Sequence, residues 1–185
     1  LGFLPMFHSF GLTIATLLPV LAGSKLVHHP DPTDAAALAR KLAAYKPTIL
    51  IATPTFLGFI LSRCKPGDLD SLRLVVVGAE RCPDELFDRV AALAPQATLL
   101  EGYGVTECGP CVSVNPVDAV RRGTVGPPLP GVGVCVVDLE SDRVLPANER
   151  GMLLVSGPTI FPGYLGTGVE SPFRELSGKK WYVTG

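Results

Sequence analysis

Two uninterrupted apolar runs constrain the fold of this chain more than anything else in it. Thr48 to Thr53 (TILIAT) and Leu72 to Ala79 (LRLVVVGA) are of strand length and almost wholly apolar. A strand with one face in water alternates apolar and polar side chains, whereas a strand without that alternation has both faces covered. Amphipathic stretches lie around these runs. DAAALARKLAAYK (Asp34 to Lys46) sets Leu38, Leu42 and Tyr45 on one helical face, with Asp34 near its start. Thr53-Pro54 reads as an N-cap followed by proline at the first helical position, opening the helix TFLGFILSR. Pro83-Asp84-Glu85 opens another helix, with Leu86, Val90 and Leu93 on one face and acidic residues where the helix dipole favours them. SKLVHH (Ser24 to His29) and ATLLEGYG (Ala97 to Gly104) complete the strand candidates. Covered strands separated by amphipathic helices form an α/β unit, so residues 1–116 are expected to be a doubly wound, mostly parallel sheet.

The composition changes after Pro116. GTVGPPLPGVGV (Gly123 to Val134) is rich in glycine and proline and has no helical period; VCVVDLESDRVL and ERGMLLVSGP are strands joined by polar turns. Residues 117–185 are therefore expected to form a small antiparallel β unit, barrel-like in kind. Leu1 to Ser24 contains no charged residue, but Pro5, His8, Ser9, Gly11 and Pro19 interrupt it, so it reads as a buried loop and helix rather than a membrane span. The chain starts without methionine and ends in a strand-like run, WYVTG, which suggests a piece of something longer. A formal net charge of -1 offers no electrostatic basis for binding nucleic acid or an anionic membrane surface. Five cysteines is an odd count without dense pairing, which points to a reducing, cytoplasmic setting.

The stretch LEGYGVTECGPC (Leu100 to Cys111) carries two competing signals. Cys108-Gly109-Pro110-Cys111 spells a dithiol redox centre. A reactive thiolate needs a helix N-terminus or a nearby cation; here Glu107 precedes Cys108 and the β-branched VSVNP follows. Half of a zinc site is a further reading, with no second Cys or His pair at a plausible spacing. Two small packed thiols is the plainer alternative. Gly102-X-Gly104 after a strand resembles a dinucleotide loop, but Glu107 occupies the place of its third glycine. A carboxylate there repels phosphates unless a cation intervenes, which favours Mg²⁺ bridging Glu107 and a triphosphate. Thr106 can donate to a phosphate oxygen, and Tyr103 offers an aromatic face to a nucleobase. The strand ends at Gly78-Ala79-Glu80 and Gly102-Tyr103-Gly104 then belong to one rim, since open α/β sheets bind ligands outside the carboxyl ends of their strands. Tight turns that use glycine for backbone freedom remain the alternative for either turn alone.

These residues resemble the acyl-adenylate-forming (AMP-binding) superfamily. YGVTE (Tyr103 to Glu107) is similar to its core motif, and five further pieces follow the family's order: FHSFG (Phe7 to Gly11), GAE (Gly78 to Glu80), GTVGPPLPG (Gly123 to Gly131), ERGMLLVSGPTIFPGY (Glu149 to Tyr164) and WYVTG (Trp181 to Gly185). More narrowly, PMFHSFGLT, TFLGFI and LEGYGVTEC resemble the synthetase half of bifunctional acyl-[acyl-carrier-protein] synthetase / 2-acylglycerophosphoethanolamine acyltransferase.

The resemblance implies an ATP-dependent acid–thiol ligase, within a larger adenylation domain, that makes a fatty acyl-adenylate and passes the acyl group to acyl carrier protein or coenzyme A. It implies Thr106, Glu107 and His8 as catalytic residues and Glu107 as the Mg²⁺ ligand. It implies Gly78, Ala79, Glu80, Gly102, Tyr103, Gly104 and Thr106 as nucleotide-binding, and Phe7, His8, Phe10, Gly11 and Phe56 as the acyl pocket. Amino-acid-activating relatives carry aspartate where His8 stands, so a fatty acid is the expected substrate. The family's lysine loop would precede Leu1, its ribose-binding aspartate would follow Gly185, and its mobile C-terminal domain is absent, so this segment is expected to be inactive alone. The resemblance also allows a cytoplasmic parent associated with the inner membrane and linked to lysophospholipid reacylation.

Overall fold

The computed structural model describes residues 1–141, 143–166, 168 and 170–184. Gly185, the last residue of WYVTG, lies outside them. The apolar runs form β1 (Ile49–Ala52), β2 (Leu74–Val77) and β3 (Thr98–Tyr103), which pair in parallel, and β4 (Ser113–Val114) adds antiparallel to β3. Leu50 sits opposite Val75 and Val75 opposite Leu99, so the rows that face the core run straight across the sheet. The class is a mixed, mostly parallel sheet with helices. Among the described residues the strand order is sequential, β1-β2-β3-β4.

The helices begin and end where local chemistry places them. α2 (Ala35–Tyr45) starts where the Asp34 carboxylate accepts from the Ala37 amide at 2.8 Å, and ends with Lys46 left-handed at φ 47°. α3 (Pro54–Leu61) starts with Thr53 accepting from the Phe56 amide. α4 (Asp84–Leu93) has no side-chain cap, and Asp84 and Glu85 in its first turn offset the dipole instead. Leu38, Leu42, Leu57, Ile60 and Val90 pack onto Leu50, Val75 and Val77 as one buried core. Each such leucine or isoleucine contributes about 1.5–3 kcal/mol by burial. Tyr45, expected on the buried face of α2, is instead largely exposed at the end of the last turn.

Two expectations for the first part need correction. Ser24 to His29 is not a strand: only the bridge between Gly2 and His28 forms, with the Gly2 amide donating to Val27 and the His29 amide to Gly2. Only Leu26 and Val27 in this stretch are apolar, and a strand needs a partner edge, whereas among the described residues the one backbone bridge to it comes from Gly2. Leu1 to Ser24 is buried in its loop but not in its helix: Leu1, Phe3 and Leu4 join the main core. It holds a π-helical segment (Phe10–Leu17) running into α1 (Leu18–Leu21), and only Gly11 and Ala15 are buried there. Leu12, Leu17, Leu18, Val20 and Leu21 face outward. Apolarity marks the segment for burial, but no described residue packs over that side. No helix among the described residues is long and apolar enough to cross a membrane.

The second unit is an open antiparallel sheet, in the order β5 (Gly133–Val137), β6 (Met152–Ser156), β8 (Lys179–Val183), β7 (Phe173–Leu176). It has two free edges among the described residues, so it is not a closed barrel. A second, smaller core joins it to the first unit: Cys108 and Val112 pack with Val155 and Tyr182, flanked by Tyr103, Phe161 and Phe173. Asn115, buried, ties the intervening loop to the end of β3. Its amide group donates to the carbonyls of Glu101 and Thr124, and its side-chain oxygen accepts from the Arg121 amide.

Candidate active site at the carboxyl ends of the strands

Parallel pairing brings the ends of β1, β2 and β3 to one rim. Gly78 leaves β2 beside Gly102 of β3, and a Cβ on Gly78 would lie 3.3 Å from the Gly102 carbonyl oxygen. A Cβ on Gly102 would lie 2.9 Å from the Ser113 oxygen, and one on Gly104 2.2 Å from the Pro110 oxygen. Gly78, Gly102 and Gly104 all lack positive φ, so close backbone approach, not conformational freedom, requires glycine at these positions. Ala79 carries the conformational strain: its φ is +70°, in the region L side chains avoid. Behind this turn, Glu101 is 3% exposed and its Oε1 accepts from the Cys82 amide at 2.9 Å, anchoring the far end of the turn to β3.

Glu80 does not join the cavity. Its Oε2 accepts from the amide and the hydroxyl of Thr55, at the start of α3. Sequence pattern placed it beside a nucleotide; in the fold its charge serves a helix N-terminus, where unpaired amides attract an anion.

The second turn is held from across the molecule. Thr106–Cys108 forms a single 3-10 turn. Its backbone is bound by the loop after β6: the Phe161 amide donates to the Glu107 carbonyl at 2.8 Å, and the Thr159 hydroxyl donates to the Cys108 carbonyl at 2.8 Å. The Glu107 side chain is bound by the same loop, with the Tyr164 hydroxyl 2.8 Å from Oε1. That hydrogen bond to a carboxylate raises the Tyr164 pKa, while a hydrogen bond from Tyr182 opposes the rise. Burial first, then the bond to Tyr164 and the charge of Glu107, push the Tyr182 phenol well above its ordinary value. Burial likewise raises the Tyr103 phenol, with Thr184 just beyond β8 opposing the rise. Thr106 Oγ1 lies 3.1 Å from Ser9 Oγ, which joins the turn to the first segment.

Between the two turns and the π-helical segment lies a cavity of about 350 Å³. Of the sequence-predicted residues, it brings together His8, Phe10, Gly78, Ala79, Gly102, Tyr103, Gly104, Thr106 and Glu107. The π winding sets Phe10 and Ile14 on the cavity side, where Val76, Val77 and Val114 extend the apolar wall. His8 Nδ1 accepts from the Phe10 amide at 3.2 Å, so the neutral ring carries its proton on Nε2.

Three predicted pocket residues lie elsewhere. Phe7 is 95% exposed. Phe56 packs edge-on against Phe3 in the main core, with ring centroids 6.1 Å apart. Gly11 is the point where the helix passes the preceding backbone, since a Cβ there would lie 2.2 Å from the Pro5 oxygen. Adjacency within a motif placed Phe7 and Gly11 in the wall, but Phe7 lies in the turn before the π-helical segment and Gly11 faces the preceding backbone. Sequence reasoning missed Ser9, Ile14 and Tyr164. Ser9 sits inside FHSFG and Tyr164 ends the quoted PTIFPGY stretch, but nothing in either spacing shows what each side chain meets.

The chemistry of the donors fits a hard cation. Glu107 and Thr106 offer oxygen ligands, and the described residues contain no group of three or more His, Cys, Asp or Glu that could hold an ion by themselves. Mg²⁺ is bound in that way, through one or two carboxylates with phosphates and water completing the shell. The dithiol reading does not survive the geometry. Cys108 is 1% exposed, and burial with the Glu107 charge pushes its thiol up to about 11; burial raises Cys111 as well. Neither thiol is activated, and among the described residues zinc lacks the further ligands it needs.

Comparison with known proteins gives a consistent result. The family model described as AMP-binding enzyme matches residues 1–165. A long-chain-fatty-acid–CoA ligase of Escherichia coli O6:H1 is 36% identical over 164 residues, which span 87% of this chain and 29% of that protein. The solved structure of a long-chain-fatty-acid-CoA ligase from Archaeoglobus fulgidus matches with a TM-score of 0.87 at 28% identity, covering 100% of this chain and 40% of that one. ATP-bound MatB from Rhodopseudomonas palustris matches with a TM-score of 0.84 at 28% identity, covering 100% and 39%. The chain therefore spans under a third of the length of the E. coli relative.

Proposed function

The chain belongs to the AMP-binding enzyme family, and from that premise we propose that it is the central part of an ATP-dependent ligase that activates a fatty acid as its acyl-adenylate and transfers the acyl group to a thiol. The observation that carries this reading is the cavity at the strand ends. Its one carboxylate among the described lining residues is Glu107, next to the Thr106 hydroxyl, and apart from Ser9 and Cys111 the remaining wall is glycine, aromatic or aliphatic.

In this reading the adenine lies between the Tyr103 ring and the bare Gly78-Ala79 backbone. Thr106 donates to a phosphate oxygen and exchanges its contact with Ser9 for that bond. Mg²⁺ would supply neutralisation of the charge between Glu107 and the polyphosphate. The chain's own residues bind, orient and exclude water. A carboxylate oxygen of the acid bonds to the α-phosphorus, the bond from that phosphorus to the bridging oxygen breaks, and pyrophosphate leaves. A thiol sulfur then bonds to the acyl carbon, the acyl–phosphate bond breaks, AMP leaves and the thiol proton passes to solvent.

The apolar wall of Phe10, Ile14, Val76, Val77 and Val114 suits an alkyl chain, and no second carboxylate is present there to pair an amine. His8, with its N–H on Nε2, borders the acyl entrance. The ligases named above act with CoA, which favours coenzyme A over acyl carrier protein as acceptor.

The test is Mg²⁺-dependent pyrophosphate exchange by the full-length polypeptide carrying this sequence. Glu107→Gln removes the charge and keeps the shape, and exchange should fall by roughly 10²–10³-fold. Wild-type exchange in that variant would refute the assignment.

A further inference from the structure

We propose that Tyr164 is a positioning residue for Glu107: its hydroxyl, backed by Tyr182, holds one carboxylate oxygen so that the other is presented to the divalent cation. This rests on the reading that Glu107 ligates that ion. A single hydrogen bond between a tyrosine and a partly exposed glutamate would be unremarkable. Here several observations converge on two residues. Tyr164 is not among the cavity lining, yet its hydroxyl is 2.8 Å from Oε1, so Glu107 is gripped from outside the cavity that it lines. The ring of Tyr164 packs edge-on against Phe161, centroids 4.8 Å apart, and the Phe161 amide holds the Glu107 carbonyl. Backbone and side chain of Glu107 are thus fixed by one short loop. Phe161 is itself wedged against Phe173 and Tyr182, at 5.7 Å from each.

Tyr164 donates to Glu107, and the phenol of Tyr182, buried in β8, stands close enough to interact with that of Tyr164. A hydrogen bond to an ionised acceptor is stronger than a neutral one. Glutamate has three rotatable bonds, and an unrestrained one must be ordered when it binds an ion. A carboxylate with one oxygen already committed has lost that freedom in advance. Outer-shell partners of this kind orient ligands and tune the affinity of metal sites.

The experiment measures Mn²⁺ binding by electron paramagnetic resonance in the full-length polypeptide, with α,β-methylene ATP present, for wild type, Y164F, Y182F, Y164F/Y182F and E107Q. Metal-free affinity for the same analogue is measured in parallel. Phenylalanine keeps the ring contacts and removes only the hydroxyl. Y164F should weaken Mn²⁺ binding about tenfold with metal-free nucleotide affinity unchanged. Y182F should weaken it less and add nothing on top of Y164F, because it acts through that hydroxyl. Mn²⁺ affinity within twofold of wild type in Y164F, alongside a loss in E107Q, overturns this proposal and leaves the site reading intact. Loss of metal-free nucleotide affinity in Y164F, or losses that add in the double variant, also overturns it. If E107Q itself keeps Mn²⁺ binding, the reading of Glu107 falls and this inference with it.

Discussion

Two turns leave adjacent parallel strands at the same rim, each with glycine and a glutamate, and they come to opposite ends. Glu80, two residues past Gly78, turns away to Thr55 and caps α3. Glu107, three past Gly104, stays at the cavity and is held by Tyr164 from the loop after β6. The local pattern is nearly the same, and what stands opposite each carboxylate decides its task. For Glu80 that is a helix N-terminus with free amides; for Glu107 it is an aromatic loop that orients the charge without neutralising it. The glycines differ similarly. Gly104 is crowded by backbone on the far side of its own turn, Gly78 only grazed by the neighbouring strand.

The contrast is broken most directly by exchanging the charges for amides. E107Q should lower pyrophosphate exchange roughly 10²–10³-fold, while E80Q should leave it within about threefold. Equal losses would mean that Glu80 does face the nucleotide. The glycines sharpen the contrast next. Gly104→Ala forces a Cβ to 2.2 Å from the Pro110 oxygen and should lower unfolding stability by about 2–3 kcal/mol. Gly78→Ala meets the Gly102 oxygen at 3.3 Å and should cost about 1 kcal/mol. Chemical denaturation of both variants checks the order, and a reversed order would show that the second turn yields more readily than its contacts suggest.

Behind the first turn, Glu101→Ala leaves the buried Cys82 amide without its acceptor and should cost about 1–3 kcal/mol by the same measurement. Removing the exposed contact in Glu80→Ala should cost about 1 kcal/mol or less. The smallest effect concerns Cys108, beside Glu107. With its thiol pushed up to about 11, only roughly a thousandth is thiolate at pH 8, against about a quarter for a free cysteine. Alkylation should be slow at pH 8 and accelerate as pH rises towards 11. Fast labelling near neutrality would revive the redox reading.

How much was legible depends on the range of the interaction. β1 and β2 were readable because their sequences are continuous apolar runs of strand length, and β3 because Leu99 and Leu100 precede a glycine turn. α2, α3 and α4 were readable from caps and a period set within a few residues. β4 was not, because Ser113 and Val114 are a strand only by virtue of pairing with Tyr103 and Gly102. Phe7 and Phe56 were assigned to a pocket by residue type, and type does not say that one meets solvent and the other Phe3. Tyr164 lies 57 residues from Glu107 along the chain, with no local spacing to betray the contact.

By itself the sequence determined that this chain builds a mixed, mostly parallel sheet followed by an antiparallel one, and that a hydroxyl and a carboxylate follow the third strand. Both are consequences of short-range preference: apolar period, capping, and the need for glycine where backbones crowd. Only the tertiary structure decided which glutamate stays at the cavity and which becomes a cap, because that depends on groups brought opposite by packing. A carboxylate has no function until something fixes where its charge points, and here the contact comes from a loop 57 residues further along the chain.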